Sequence, residues 1–303
     1  MRQKEAGPDV TVVIPTYNRA EDLRRCLDSL VAQTYANFEV VVCDDGSTDH
    51  SAGVVADYAS LLDLRYETAE NFGGPARPRN RGIRVARAPL VAFLDSDDWW
   101  DPQKLQLSVA AINGGADLVY HDLFVARSPN QHVFKDRIVS SRPHSPMFSA
   151  LLCTSISIPN SSVVVRKELL EQIGGISEER DLISVEDYDT WIRLSQLTEK
   201  FVRIPGVLGY YWVGSGNISA ASPLQIERIK VLYARHVDAL AQEVQPCAEG
   251  FLAYRIGRIA QMCGDFPTAQ DFLRKAISSP IGYVYRMKAL FFFARSALAP
   301  RIS

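Results

Sequence analysis

No CxxC spacing occurs among the five cysteines, Cys26, Cys43, Cys153, Cys247 and Cys263. That absence removes a disulfide or dithiol framework and leaves reduced thiols in apolar patterns, as expected in a reducing, cytoplasmic compartment. No uncharged apolar run reaches the 18 residues of a membrane span, since the nearest, Ala289 to Ala294, stops at Arg295. Met1 to Asp9 is polar and lacks the apolar segment of a secretory signal. Internal repeats and low-complexity tracts are missing, which sets aside solenoids and disordered arrays. A surplus of one charge is missing too: the chain is −2 overall, so nothing in the average favours a nucleic-acid partner. Locally the balance differs, because Arg274 to Ser303 carries six Lys or Arg and no acid, leaving −8 on the residues before it.

What remains is an ordinary globular composition, 47% hydrophobic and 22% charged over 303 residues, enough for one large domain or two modest ones. The first hundred residues alternate short apolar runs with helical periodicity, the pattern of an α/β sheet with crossover helices. Val10 to Ile14, Phe38 to Cys43, Leu64 to Glu67, Pro89 to Leu94 and Asp117 to Tyr120 read as strands. Asn18, with Glu21 three residues on, reads as the cap of a helix whose apolar face is Leu23, Cys26, Leu27, Leu30 and Val31. Ser47 to Asp49 caps a second helix through about Ser60. Asn71 onward reads as a Gly/Pro/Arg-rich loop, and Asp101-Pro102 as another helix start. Further on, Ser162 to Val165, Phe201 to Ile204 and Val207 to Val213 fit strands and Glu186 to Leu197 a helix. From Leu224 the pattern is helical, with breaks near Gln245-Pro246, Gly264 to Pro267 and Pro280. The expected organisation is residues 1–220 as one domain and 221–303 as a helical region.

Ligand crevices of open α/β sheets lie beyond the carboxyl ends of the strands, and here those ends carry "PTYN", "DDGS" and "DSDD". Each cluster has a plain structural reading beside a functional one. In "CDDGSTD" a turn and a helix cap account for Gly46, Ser47 and Asp49, but one acid would have sufficed where Asp44 and Asp45 stand; the other can accept from a nucleobase N–H or a ribose hydroxyl. In "DSDD", Asp95 to Asp98, two carboxylates about 4 Å apart would repel by roughly 4 kcal/mol at an effective dielectric near 20, so they need a cation, a shared proton or open water. Strand alternation points Asp95 and Asp97 to one side, suited to a divalent ion and a sugar hydroxyl. The alternative is a solvated acidic turn. "ENFGGPARPRNRG" offers Gly73 and Gly74 for close backbone approach and Arg77, Arg79 and Arg81 as guanidinium forks, either for phosphate or as an exposed basic loop. It is not the GxxxxGK[ST] phosphate loop. In "SVEDYDTWIRL", Glu186, Asp187 and Asp189 open a helix, and Ser184-x-x-Asp187 is a capping-box pattern.

Taken in order, "VVIPTYNRAEDLRRCLDSLVAQTYANFEVVVCDDGSTD", "ENFGGPARPRNRGI", "APLVAFLDSDDWWDPQKL" and "EDYDTWIRL" closely resemble the family 2 inverting nucleotide-sugar glycosyltransferases of GT-A fold, over roughly residues 10–220. The resemblance implies a mixed central sheet with flanking helices, a nucleoside-diphosphate-sugar donor, UDP-sugar foremost, and Mn²⁺ or Mg²⁺. It implies hexosyl or N-acetylhexosaminyl transfer to a hydroxyl of a saccharide, lipid-linked or glycoconjugate acceptor, as in cell-envelope polysaccharide biosynthesis. Pro15, Thr16, Tyr17 and Asn18 would flank the nucleobase, with Tyr17 stacking and Asp45 bonding the base. Asn71, Gly73, Arg79, Asp95 and Ser96 would also face the donor, with Asp97 on the metal. Asp187 would be the general base, with Glu186, Trp99 and Trp100 on the acceptor or cleft side. One departure stands out: related sequences often carry a histidine in the segment matching Tyr210 to Ser219, where this chain has Gly214. His121, His132 and His144 are expected on the surface or in loops. Rival readings are a nucleotide-sugar-binding scaffold on the same fold and a sugar nucleotidyltransferase, the latter disfavoured because "VVIPTYNRAEDL" has no Gly-rich loop. The basic C-terminal tail, with Phe291, Phe292 and Phe293, is expected either to dock on the core, to join copies of the chain, or to lie at the inner face of a membrane.

Overall fold

Val10 to Thr16 reads VTVVIPT, an almost unbroken apolar run, and such a strand is stable when both of its faces are covered. In the computed structural model, which describes residues 7–128, 131–214 and 221–298, this segment is strand β1 (Val10–Thr16), buried throughout. Chain order continues with α1 (Ala20–Val31), β2 (Phe38–Asp44), α2 (Ser51–Asp57), β3 (Leu64–Thr68), α3 (Ala76–Val85), β4 (Leu90–Phe93), β5 (Trp99–Trp100), α4 (Lys104–Asn113), β6 (Leu118–Ala126) and β7 (Arg137–Ile138). Then come α5 (Met147–Cys153), β8 (Val164–Arg166), α6 (Lys167–Gln172), α7 (Glu186–Ser195), β9 (Phe201–Trp212), α8 (Pro223–His236), α9 (Gln245–Met262), α10 (Phe266–Ser278) and α11 (Tyr283–Ala297). Contacts group Met1–Pro143, Ser157–Glu178 and Leu197–Ser215 into a sheet unit, and His144–Ile156, Glu179–Gln196 and Gly216–Ser303 into a helical unit. Contacts thus cut the chain elsewhere than the linear boundary expected at 220/221, because α5 and α7 join the C-terminal helices.

The described strands of the sheet unit form one mixed α/β sheet in the order β3-β2-β1-β4-β8-β6-β9-β5, with β7 on β6. β1 runs parallel to β2, from Val10 opposite Phe38 to Thr16 opposite Asp44, and parallel to β4 from Val10 opposite Leu90. β8 is antiparallel to β4 and β6. The two strands expected between Phe201 and Val213 are one, β9, which pairs with β6 through register shifts and turns back on β5. Leu23, Cys26, Leu27 and Leu30 of α1 pack into the same core as Val12, Ile14, Val40 and Val42. That arrangement is the helix-on-sheet layer the i, i+3, i+4, i+7 spacing requires.

Several local readings change. Arg19, not Asn18, precedes α1, and the first amide of the helix, Ala20 N–H, donates to the Asp49 carboxylate at 3.0 Å from a separate loop. Residues 76–85, expected as loop, form α3. Pro78 lies in its first turn, where backbone N–H groups have no intrahelical acceptor and a proline costs nothing. Gly82 lets α3 touch β1, since a Cβ there would sit 2.4 Å from Val13 Cγ1. α4 starts two residues later than the Asp-Pro signal, with Asp101 accepting from Gln103 N–H at 2.9 Å. His121, expected at the surface, is fully buried on β6, and burial followed by the nearby Lys104 pushes its pKa down to about 3. His132 and His144 are exposed as expected.

In the helical unit, two of the prolines read as breaks are helix starts, Pro246 and Pro267 lying at the first or second positions of α9 and α10 as Pro223 does in α8, while Pro280 falls between α10 and α11 as expected. Ser222 and Asp265 supply side-chain caps to Gln225 N–H and Thr268 N–H. α9 packs against α8, α10 and α5, and α10 against α11. All five cysteines are free; Cys26, Cys43 and Cys153 are buried, whereas Cys263 is exposed.

The amino-terminal edge of the parallel strands is fastened by Glu39, 1% exposed, which accepts from Thr11 Oγ1 at 2.6 Å, Arg87 N–H at 2.7 Å and Arg87 Nε at 2.6 Å. Burial pushes this carboxyl upward, but the bonds from Thr11 and Arg87 outweigh it and hold its pKa below the usual value. Glu39→Ala should therefore lower unfolding free energy by about 2–3 kcal/mol at neutral pH. That increment is fully present above the unfolded pKa of about 4.3 and is lost as pH falls through the lower folded value. In urea titrations the gap between wild type and Glu39→Ala should hold from neutrality to pH 5 and close below about pH 4; a gap independent of pH would overturn the assignment.

Candidate functional site

Because β1, β2 and β4 are parallel, their carboxyl ends reach the same edge: Thr16 lies beside Asp44, and Leu94 N–H donates to Val13 O. The peptide after β2 then crosses back, with Asp45 N–H on Thr16 O at 2.9 Å. Asp44 and Asp45 have different work. Asp44 is 1% exposed and fully engaged, accepting Ser47 N–H at 2.7 Å and the Tyr66 hydroxyl. Asp45 is 4% exposed; its Oδ2 accepts Phe72 N–H at 3.0 Å and Gly73 N–H at 3.1 Å, and its backbone oxygen takes the Asn71 amide at 2.9 Å. Its Oδ1 is buried with no hydrogen-bond partner, as is Thr16 Oγ1. Buried acceptors left in this state cost about 1–3 kcal/mol each, which a ligand's donor would offset.

Tyr17 stands 47% exposed just past this strand end, and Pro15 is buried under it in β1. Asn18 is occupied otherwise than as a cap: at a φ of 50° it accepts Thr48 N–H at 2.8 Å while its own N–H donates to Ser47 Oγ at 2.8 Å, tying the two loops. Gly46 makes the crossing possible. Its φ is +85°, and a Cβ would lie 3.0 Å from Asn71 N and 3.1 Å from Ala69 O.

The aspartates after β4 are set by a turn, not by strand alternation, since β4 ends at Phe93 and Asp98 N–H closes on Asp95 O at 3.0 Å. Asp95 is anchored by Ser161 Oγ on its amide and by Arg79 and Asn160 on Oδ1, at 2.6 and 3.2 Å. Arg79 is 4% exposed, and its neighbours in α3 are also employed: Arg77 pairs with Glu178 and Arg81 donates to Asp44 O. The three guanidinium groups expected to face phosphate thus each have a protein partner. Ser96 is buried. Asp98 is 1% exposed and accepts Trp212 N–H at 2.8 Å; burial, then Asp97 and Asp95, push its pKa well up. Asp97 keeps its side chain 23% exposed, with Arg19 4.0 Å away, and burial followed by the charge of Asp95 raises its pKa to about 6.

Asp97's backbone is held by a residue the sequence pattern did not flag. Arg25 donates to Asp97 O at 2.8 Å, pairs with Asp22 at 2.9 Å, and lies between the rings of Trp99 and Trp212 at 4.4 and 4.6 Å. Trp99 in turn stacks on Tyr210 at 5.0 Å. Trp100, expected on the cleft side, is instead 3% exposed in the core, with Nε1 donating to Ser161 O at 2.7 Å and Lys104 Nζ 3.7 Å over its ring. Among the described residues no three His, Cys, Asp or Glu side chains are gathered as a metal cluster. Gly214, where a histidine was expected, supplies none, and residues 215–219 of that segment lie outside the described residues.

In the helical unit Glu186 and Asp187 begin α7, the end where the helix dipole favours negative charge. The capping box does not form: Val185 precedes the helix and Ser184 has a φ of 73°. Glu186 is 3% exposed, while Asp187 is half-buried and accepts Tyr188 N–H at 2.6 Å. Asp189 is structural, buried and bonded to Arg193 and His236 at 2.7 and 2.8 Å; these outweigh its burial and keep its pKa low.

Residues 11–174 match the family described as glycosyl transferase family 2. The chain is 32% identical over 213 residues to the amylovoran biosynthesis glycosyltransferase AmsB of Erwinia amylovora, covering 66% of this chain and 68% of that one. It is 28% identical over 216 residues to the Escherichia coli UDP-Glc:alpha-D-GlcNAc-diphosphoundecaprenol beta-1,3-glucosyltransferase WfaP, covering 70% and 80%. A higher identity, 49%, to validoxylamine A glucosyltransferase of Streptomyces hygroscopicus extends over only 36% of this chain and 26% of that relative. Among solved structures, S. aureus TarS 1-349 in complex with UDP-GlcNAc matches with a TM-score of 0.66 at 20% identity, over 95% of this chain and 89% of that one. A mannosyltransferase of Pyrobaculum calidifontis in complex with GDP-Man and Mn²⁺ gives 0.61 at 21%, over 97% and 87%. At such identities the likeness establishes the GT-A fold.

The loop crossing at Gly46 generates a test. Gly46→Ala should cost about 1–3 kcal/mol in thermal unfolding. It should also speed hydrogen exchange at the Phe72 and Gly73 amides, because residues 69–73 must retreat from Asp45; unchanged exchange at those amides would contradict the packing described.

Proposed function

The chain belongs to glycosyl transferase family 2, and from that premise we propose that it is an inverting, metal-dependent transferase that moves a hexose or N-acetylhexosamine from a UDP-sugar to a hydroxyl. The observation that carries the donor reading is the Asp45 carboxylate, one oxygen of which is fixed by two backbone amides while the other is buried without a partner. A uracil N3–H supplies the missing donor, and exposed Tyr17 offers a ring for the base. Asn71 and Gly73 hold the Asp45 loop, so they act on the donor through Asp45. Asp95 then serves a ribose hydroxyl with Ser96 beside it, and Arg79, whose charge is already committed, orients Asp95 rather than reaching phosphate.

Mn²⁺ or Mg²⁺ fits Asp97. The pKa of about 6 records how strongly burial and Asp95 oppose its negative charge, an opposition that a divalent cation relieves. Asp97 would be the carboxylate that holds such an ion, which accepts oxygen ligands and needs few of them from the protein. When bound, the ion offsets charge growing on the diphosphate as it departs. Asp187 takes the acceptor hydroxyl's proton while that oxygen attacks the anomeric carbon and the bond to the diphosphate oxygen breaks, which inverts the centre and releases UDP. Trp99, with Glu186, is proposed for the acceptor side. A lipid-linked acceptor is supported by the diphosphoundecaprenol in the name of WfaP, a saccharide or glycoconjugate by the amylovoran biosynthesis in the name of AmsB. The free cysteines support a cytoplasmic site of action.

Hydrolysis assayed across UDP-, GDP- and dTDP-sugars should select a UDP-sugar and require the metal. Asp97→Asn and Asp187→Asn should each reduce turnover by about 10²–10⁴-fold with unchanged thermal unfolding. Asp187→Asn should still bind UDP in calorimetry with Mn²⁺, whereas Asp45→Asn should bind it at least about tenfold more weakly. Near-normal turnover in either catalytic variant would remove its assigned role, and failure to bind any nucleotide would leave a scaffold instead of an enzyme.

A further inference from the structure

α11 is fixed by one face only. Ala289 and Ser296 are buried, Gln261 Nε2 donates to Phe292 O and Ser296 Oγ at 3.0 and 2.8 Å, and Gln270 Nε2 to Ser296 O at 3.1 Å. Arg258 covers Phe292 at 3.4 Å. The helix is therefore docked on α9 and α10, and its outward face is left over. That face carries Tyr283, Val284, Met287, Leu290, Phe291 and Leu298, 41–85% exposed. At about 100° per residue these positions fall on a single stripe. Arg286 lies on one flank of it and Lys288 and Arg295 on the other, all exposed. No acid follows Asp271 in the sequence.

We propose that this stripe is a membrane-contact face, on which the apolar side chains enter the headgroup boundary of an anionic bilayer while Arg286, Lys288 and Arg295 meet lipid phosphates. An apolar stripe bordered by basic residues on both sides is the pattern of a helix that lies in the interface. The length agrees: α11 has 15 residues, and no described helix is long and apolar enough to cross a membrane. Charge complementarity selects the occupant. A second copy seated face to face would bring basic rims together with no acid on the helix to answer them, whereas an anionic lipid surface answers every one. Long basic side chains and the Tyr283 ring also suit a boundary with one apolar and one wet side. The inference rests on α11 alone and is independent of donor and acceptor assignments.

Flotation of the full chain with vesicles of phosphatidylcholine, or of phosphatidylcholine with about 30 mol% phosphatidylglycerol, tests it. Wild type should bind the anionic vesicles at least about tenfold more tightly. Met287→Glu/Phe291→Glu should lose at least about tenfold of that binding, and Arg286→Ser/Lys288→Ser/Arg295→Ser most of the anionic preference, with thermal unfolding and donor hydrolysis unchanged in both. If the Glu pair fails to fold, the serine triple, confined to exposed positions, carries the test. Equal or absent binding of wild type to the two vesicles would overturn the proposal, as would a Glu pair that floats like wild type. So would a dimer, seen by light scattering, that Phe291→Glu dissociates, because the face would then belong to a second copy.

Discussion

Parallel pairing of β1 with β2 and with β4 delivers the aspartates of two distant segments to one edge of a sheet, and negative charge gathered there has to be answered atom by atom. The fold answers most of it internally. Asp44 is taken by Ser47 and Tyr66, Asp95 by Arg79 and Asn160, and Asp98, its pKa pushed well up by burial, accepts Trp212 N–H. Two groups are left incompletely answered, the inner oxygen of Asp45 and the partly exposed carboxylate of Asp97. Those residual demands, for a hydrogen-bond donor and for positive charge, are what the donor and metal roles proposed for this edge would meet.

Rigidity around these two groups comes from side chains remote from the chemistry. Gly46 and the Asn18 side chain lace the loops that present Asp45, and Arg25, held between two indoles, fixes the backbone of Asp97. Cores of this kind tolerate little loose motion, since a site carboxylate displaced by an ångström no longer meets its ligand. The proposed reaction would use this arrangement, since departure of a nucleoside diphosphate calls for a fixed contact to the base and compensated charge at the phosphates.

Much of the site was legible in the sequence because short polar clusters at strand ends survive translation into a parallel sheet. Asp45, Asp95 and Asp97 fall at strand ends as expected, though a turn rather than strand alternation sets the last two. The failures share a cause, which is that residue type was read without its partners. The arginines of "PARPRNR" looked like phosphate ligands, yet each is spent on Glu178, Asp95 or the Asp44 carbonyl. The stretch from Asn71 looked like a loop because Gly73, Gly74, Pro75 and Pro78 punctuate it, although Pro78 occupies the turn where helices accept proline and Gly82 is demanded by contact with Val13. His121 looked external for its polarity and is buried as a neutral ring.

By itself the sequence determined the alternation of buried strands and amphipathic helices, the order of the acidic clusters, the helical region after residue 221 and the basic, acid-free end, because these depend on local periodicity and composition. Only the tertiary structure decided which carboxylate of each pair remains available, which guanidinium groups are already committed, and which face of α11 stays open. Those outcomes depend on hydrogen-bond partners and burial contributed by residues far away in the chain. A carboxylate's chemistry is set by what lies within a few ångströms of it, and no spacing along the sequence encodes that.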